Sequence, residues 1–276
     1  MSLVHMNFQS LYLGNNTDIN VILPDKPWKD SPTEFYRSGK KYKVLWLLHG
    51  TFGDYTDWLR KSSIELYACE KDLIVVMPSA MNSNYMNWPK FGMGFNMWDF
   101  MTKELMPLIY GWFPASDKRE DNFIAGLSMG GRGTSYFAFS HPELFAAAAV
   151  LSAAPVQYTM ESLDQGGFMG ERTRICVENA GGKENFLASP ENVWEIAAKA
   201  VKDGVDLPRL YFACGGDDKG IVDNLGIWKE YADGLGIEAT YEIIPGYRHE
   251  WRFWDLAIQK ALVFFGLTRD DAGNPF

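Results

Sequence analysis

The sequence predicts an α/β protein with a mostly parallel central sheet covered by helices on both faces. Two observations carry the prediction. Short, β-rich apolar runs alternate with helical patterns along most of the 276 residues. The runs at 44–48 and 146–151 are apolar almost throughout, which suits strands buried on both faces.

The elements follow in order. Strand-like runs fall at 20–23, 42–48, 73–77, 122–126, 146–152, 209–214 and 240–244. Helical patterns fall at 56–69, 97–112, 130–139, 191–201, 221–235 and 251–265. Two stretches fit neither period, 79–95 and 155–190. Structureless segments of that length inside a compact domain are usually functional loops or lids, so 155–190 is read as a loop or cap bordering the site. No repeat or linker divides the chain, and residues 1–276 are read as one domain.

Composition narrows the partners. Apolar residues make up 47% of the chain, enough for a substantial core. The net charge of −9 disfavours nucleic acid and anionic lipid. No apolar run approaches the roughly 18 residues of a membrane span. Cys69, Cys176 and Cys214 are odd in number and scattered, without zinc-type spacing, so neither a disulfide framework nor a metal site is expected. The first residues lack a basic stretch followed by an apolar one, and a cytoplasmic protein is expected. A homo-oligomer is compatible with this composition, but no segment marks an interface.

One motif carries chemistry. The strand at 122–126 runs into Gly126-Leu127-Ser128-Met129-Gly130-Gly131, and a helical pattern follows. This is G-x-S-x-G at a strand-to-helix turn, the setting in which the serine acts as a nucleophile on the α/β-hydrolase fold. The stretch fails as a phosphate loop, because Arg132-Gly133 stands where Lys-Ser/Thr is needed. It fails the dinucleotide fingerprint, because Tyr136 stands where the third glycine is needed.

A serine hydroxyl needs a base, and the base needs an orienting acid. The chain order on this fold is Ser, Asp or Glu, then His. Only His141 and His249 follow Ser128. His141 lies at the far end of the helix that starts at the serine, so it reads as a helix cap. His249 lies in a loop after the last strand, where a base should arrive. The acid should follow the strand 209–214, where Asp217 and Asp218 are adjacent. Only one can hold the imidazole, and Asp218 is favoured over Asp217. The oxyanion hole needs two backbone N–H groups. Met129, after the nucleophile, supplies one, and Thr51 in His49-Gly50-Thr51 supplies the other. His49 is read as a brace for that loop. Among the ten tryptophans, Trp58 and Trp251 flank the oxyanion loop and the base, and are expected at the substrate.

With these residues assigned, the chain resembles the esterase D family of α/β-hydrolases, nearest its bacterial tributyrin-esterase and feruloyl-esterase branch. The likeness runs through Val21-Ile22-Leu23-Pro24, His49-Gly50 with Asp57-Trp58, and Arg119 to Ala125. It continues through Gly126 to Gly131, His141-Pro142-Glu143-Leu144-Phe145 and Cys214-Gly215-Gly216-Asp217-Asp218. It ends in His249-Glu250-Trp251 with Trp254 and Asp255. The resemblance implies a Ser128–His249–Asp218 triad, because the family's acid follows a Cys-Gly-x-x pattern. It implies cofactor-free hydrolysis of short acyl esters, or of acetyl and feruloyl groups on plant polysaccharides. A small-molecule or carbohydrate-linked ester is thus the expected partner.

The chain departs from the family in having Arg132-Gly133-Thr134 where Tyr or His and then Gly-Ala are usual. S-formylglutathione hydrolases of the family usually carry His there and a different oxyanion loop. An acyltransferase would use the same triad. A non-catalytic binding protein on this fold would be free to lose Ser128 or His249, and both are present.

Overall fold

The computed structural model describes residues 2–164 and 168–268. Eight strands form one sheet: β1 (Ser2–Ser10), β2 (Asn15–Leu23), β3 (Lys43–Leu48), β4 (Leu73–Pro78), β5 (Asn122–Leu127), β6 (Ala147–Leu151), β7 (Arg209–Gly215) and β8 (Ala239–Ile244). Their spatial order is β1-β2-β4-β3-β5-β6-β7-β8. β1 and β2 pair antiparallel, as do β2 and β4. All other neighbours run parallel. This is the α/β-hydrolase arrangement, and the mostly parallel sheet agrees with the sequence.

The continuous apolar runs divide by parity. Val44, Trp46 and Leu48 of β3 enter one hydrophobic core, and Leu45 and Leu47 the other. In β7, Leu210, Phe212 and Cys214 go one way, Tyr211 and Ala213 the other. Successive side chains of a strand point to opposite faces, so an unbroken apolar run signifies two covered faces. The first face is covered by the helical stretch 97–112 and three helices. These are α2 (Met129–Ser140), α4 (Val193–Lys202) and α5 (Lys219–Leu235). The second is covered by α1 (Ile64–Glu70) and α6 (Trp251–Phe264).

Three elements differ from the sequence reading. β1 was not anticipated. Its only inward apolar residues are Val4, Met6 and Phe8, alternating with exposed neighbours, and Ser10 is buried at its end. The helix expected over 56–69 is two, Asp57–Lys61 and α1, because Ser62 turns extended and its hydroxyl donates to Trp58 O at 2.5 Å. The loop or cap expected over 155–190 contains helix α3 (Phe168–Ala180) and a shorter one, Lys183–Leu187. Leu163, Cys176, Val177 and Phe186 close a small core of their own beneath them, which stabilises these helices despite a weak period in the sequence.

No helix among the described residues is long and apolar enough to cross a membrane. The three cysteines are buried, and none of them is in a disulfide among the described residues.

Candidate active site

Ser128 occupies the turn between β5 and α2 with φ +53° and ψ −114°. A residue with a side chain in this region costs on the order of 1–3 kcal/mol, so the surroundings must hold it there. They do so from both sides. The Ser128 N–H donates to Leu151 O at 2.8 Å, and the Arg132 N–H donates to Ser128 O at 3.0 Å. The flanking glycines permit the turn: a Cβ on Gly126 would lie 2.4 Å from Gly130 O, and one on Gly130 would lie 2.5 Å from Leu48 O. The chain order strand, serine, helix thus follows from close backbone approach.

The turn delivers the Ser128 hydroxyl to His249. Oγ and Nε2 are 2.9 Å apart, and Nδ1 of the same ring is 2.7 Å from Asp218 Oδ2. With Nδ1–H donating to the carboxylate, Nε2 is the acceptor for the serine O–H. Asp218 opens α5, yet its carboxylate caps no N–H of that helix. It turns to the imidazole instead, while its carbonyl accepts from Ile221 and Val222 at 3.0 Å each. Asp217 points into solvent. The sequence favoured Asp218 over Asp217, and the structure brings Asp218 to the ring.

The loops bearing acid and base are tied together. Gly216 N–H donates to Ile244 O at 2.8 Å, and Asp217 N–H to Tyr247 O at 2.9 Å. A Cβ on Gly215 would lie 2.3 Å from Tyr247 O, so only glycine lets them meet. Trp254 supports the imidazole edge-on, with ring centres 5.1 Å apart, and its indole N–H donates to Ser152 Oγ at 2.9 Å.

Thr51 and Met129 line the same cavity as Ser128. Met129 is the first residue of α2, so its N–H has no acceptor within the helix and is available to a ligand. The Thr51 loop is braced by His49. Its Nε2 accepts from Ala80 N–H at 2.8 Å, and its Nδ1–H donates to Gly50 O at 2.7 Å. Burial lowers its pKa from the usual histidine value, and this pairing suits the neutral ring. Tyr85 completes the brace by donating to His49 O at 3.0 Å. The segment 79–95, aperiodic in sequence, therefore supports the loop that carries Thr51. His141 caps the far end of α2 and bonds Glu143 at 3.0 Å.

Trp58 and Trp251 lie away from the cavity beside Ser128. Trp58 is 1% exposed, and its indole N–H donates to Leu48 O at 3.1 Å. Trp251 packs edge-on against Trp58 at 5.3 Å and against Trp254 at 5.2 Å. Neither lines the cavity. Trp58 is buried in the core beside α6 and the half-buried Trp251 packs against that core, so both read as packing residues.

The cavity beside Ser128 has a volume of about 370 Å³. Its walls include Arg132, Arg172, Asn84 and Asn224, which the sequence reading did not place at the substrate. Arg132 had a signal. It lies one helical turn after Ser128, and residues four apart share a helix face. Arg172 and Asn84 come from the two aperiodic segments, and only the tertiary fold brings them in.

Comparison with known proteins gives the family and the fold. A family model described as "Putative esterase" matches residues 10–211. An acetyl esterase from Caldicellulosiruptor saccharolyticus is 29% identical over 272 residues, covering 98% of this chain and 100% of the relative. The substrate-bound structure of FphF, a fluorophosphonate-binding serine hydrolase of Staphylococcus aureus, is 33% identical. It superposes with a TM-score of 0.77 over 96% of this chain and 98% of that one. The apoenzyme structure of an S-formylglutathione hydrolase (FrmB) from Staphylococcus aureus is 32% identical, with a TM-score of 0.76 over 96% of this chain and 98% of the other. The chain belongs to the esterase family, carboxylic ester hydrolases built on the α/β-hydrolase fold.

Proposed function

We propose that the protein is a serine carboxylesterase that cleaves short acyl esters through an acyl-enzyme on Ser128. The observation that carries this reading is the chain Ser128 Oγ, His249 Nε2, His249 Nδ1, Asp218 Oδ2, with contacts of 2.9 and 2.7 Å at the mouth of a cavity.

His249 takes the serine proton as Oγ attacks the ester carbonyl. The N–H groups of Thr51 and Met129 hold the negative charge that develops on the carbonyl oxygen. Asp218 keeps the ring in the tautomer that accepts at Nε2 and stabilises the imidazolium. The ring then returns its proton to the leaving alcohol. Water, activated by the same nitrogen, releases the acid and restores Ser128. The reaction needs only this chain's own groups and water.

The cavity of about 370 Å³ lies at the small end of ligand pockets, which suits acetyl and butyryl better than long acyl chains. A feruloyl group has less support here, because neither of the two tryptophans expected to stack on it lines the cavity. A second reading, thioester hydrolysis on the same triad, is favoured by the 32% identity to the S-formylglutathione hydrolase from Staphylococcus aureus.

The test follows p-nitrophenyl esters from acetate to decanoate, methyl ferulate and S-formylglutathione, with wild type and Ser128→Ala. Turnover of the short esters, reduced at least ~10³-fold in the variant, supports the reading. Equal rates in both proteins would sink it. A far higher kcat/KM for S-formylglutathione would move the assignment to the thioester.

A further inference from the structure

We propose that the cavity beside Ser128 selects esters that carry a carboxylate, held by the guanidinium groups of Arg132 and Arg172. The inference rests on the esterase reading and adds the class of substrate to it.

The argument begins with what these arginines lack. Each guanidinium carries five N–H donors and stays charged at any physiological pH. Such groups in a partly buried wall are normally paired with carboxylates or carbonyls. Among the described residues, the Arg132 side chain has no hydrogen-bond acceptor and no ion-pair partner, although it lines the cavity. Arg172 reaches only Thr51 Oγ1, at 3.5 Å, the outer limit of a hydrogen bond. Two cations therefore face one small space with most of their donors unspent. Asn84, on the same wall, has a buried Oδ1 with no partner among the described residues, a third polar atom that the protein does not satisfy.

The nearby acids do not neutralise the pair. Asp218 is the other charged residue on the cavity wall besides the arginines and the triad histidine, and it is engaged with His249 at 2.7 Å. Glu191 lines a small adjoining pocket together with Arg132, Tyr136 and Tyr158. Its oxygens are beyond ion-pair reach of the guanidinium, and Oε2 accepts from Asn84 at 3.5 Å. Burial pushes Glu191 up to about 7, so near neutral pH it is only partly charged and balances Arg132 only in part. The cavity is thus a positive recess in a chain of net charge −9. That local sign is set by the two arginines and not by the molecule as a whole.

Their positions fit recognition at the reacting ester. Arg132 follows Ser128 by one turn of α2, and Arg172 touches the side chain of Thr51, whose N–H serves the oxyanion. A carboxylate near the scissile bond can reach a guanidinium fork, whose geometry matches its two oxygens. A neutral group of the same shape would leave both cations unpaired.

Two isosteric pairs test this, measured by release of acid at constant pH and low ionic strength. Monomethyl succinate against methyl 4-methylpentanoate places the charge on the acyl side. O-acetylglycolate against isobutyl acetate places it on the alcohol side. The expected result is a kcat/KM at least ~10-fold higher for the charged member of one pair, shrinking as salt is added. The ratio should fall toward one in Arg132→Gln and in Arg172→Gln. Ratios of one or below for both pairs in the wild-type enzyme, with hydrolysis still dependent on Ser128, would overturn the inference and leave the esterase reading standing. A charged preference that survives both substitutions would overturn it as well. Absence of any Ser128-dependent hydrolysis would instead bring down the esterase reading, and this inference with it. The wild-type ratios decide the matter even where a variant does not fold.

Discussion

Asp217 and Asp218 are neighbours of the same type, and their difference is one of direction. The Asp218 carboxylate meets the ring at 2.7 Å, and its side chain is 14% exposed. The Asp217 side chain is exposed, and only its backbone N–H is engaged. Asp218→Asn should lower kcat by roughly 10⁴-fold, because an amide cannot hold the imidazole in the accepting tautomer. Asp217→Asn should stay within a few-fold of wild type. Reversal of that order in a p-nitrophenyl acetate assay would assign the acid to Asp217. At this scale the serine and histidine were legible in the sequence. One lies in a motif whose spacing has a steric cause, and the other was left by elimination among four histidines. The choice of aspartate was legible only as a preference for Asp218, since it depends on which of two adjacent side chains turns toward a loop about 30 residues later in the chain.

Among the elements, the strand β5, the serine turn and the helix α2 act as one unit, and glycine sets how closely α2 approaches β3. A Cβ on Gly130 would lie 2.5 Å from Leu48 O and 2.6 Å from His49 O. Both obstacles are backbone, so α2 would have to move away from β3 and the loop that carries Thr51. Gly130→Ala should cost about 1–3 kcal/mol of stability and impair turnover. Gly226 is the contrast. It lies exposed within α5, with nothing within 4 Å of an added Cβ. Gly226→Ala should raise stability by about 0.5–1 kcal/mol and leave kcat unchanged. Thermal unfolding and a single ester assay on both variants check the pair. Equal effects on stability would mean that close approach is not what Gly130 serves. The strands were legible here because their apolar runs are continuous. The edge strand β1 and helix α3 were not, because each buries only one narrow side.

The molecule as a whole carries a buried carboxylate, Glu191, away from the Ser128–His249–Asp218 cluster, and its stability should record it. Burial raises the Glu191 pKa from the ordinary value of 4.5 to about 7, with Arg132 and Asn84 opposing. The folded protein then binds more protons than the unfolded chain between those values, so stability falls as pH rises through that window. The contribution is fully present below about pH 4.5 and lost by the time pH passes about 7, on the order of 3 kcal/mol in total. Glu191→Gln removes the titration. The Tm of wild type relative to this variant should decline by several degrees from pH 5 to pH 7 and then level off. A difference that does not vary with pH would show that Glu191 does not titrate in this range.

The sequence by itself determined the sheet of buried strands, the serine turn and the loop that brings the histidine. Each depends on contacts local in the chain or on a periodicity that a few residues display. The tertiary structure decided what stands around the serine. It turned Asp218 inward, withdrew Trp58 and Trp251 into packing, and brought Arg172 and Asn84 from two aperiodic segments onto one wall. Those placements depend on long-range packing, in which a ring is placed where it buries the most surface and a charge where backbone and neighbours leave it room. Short windows of sequence carry no record of that competition.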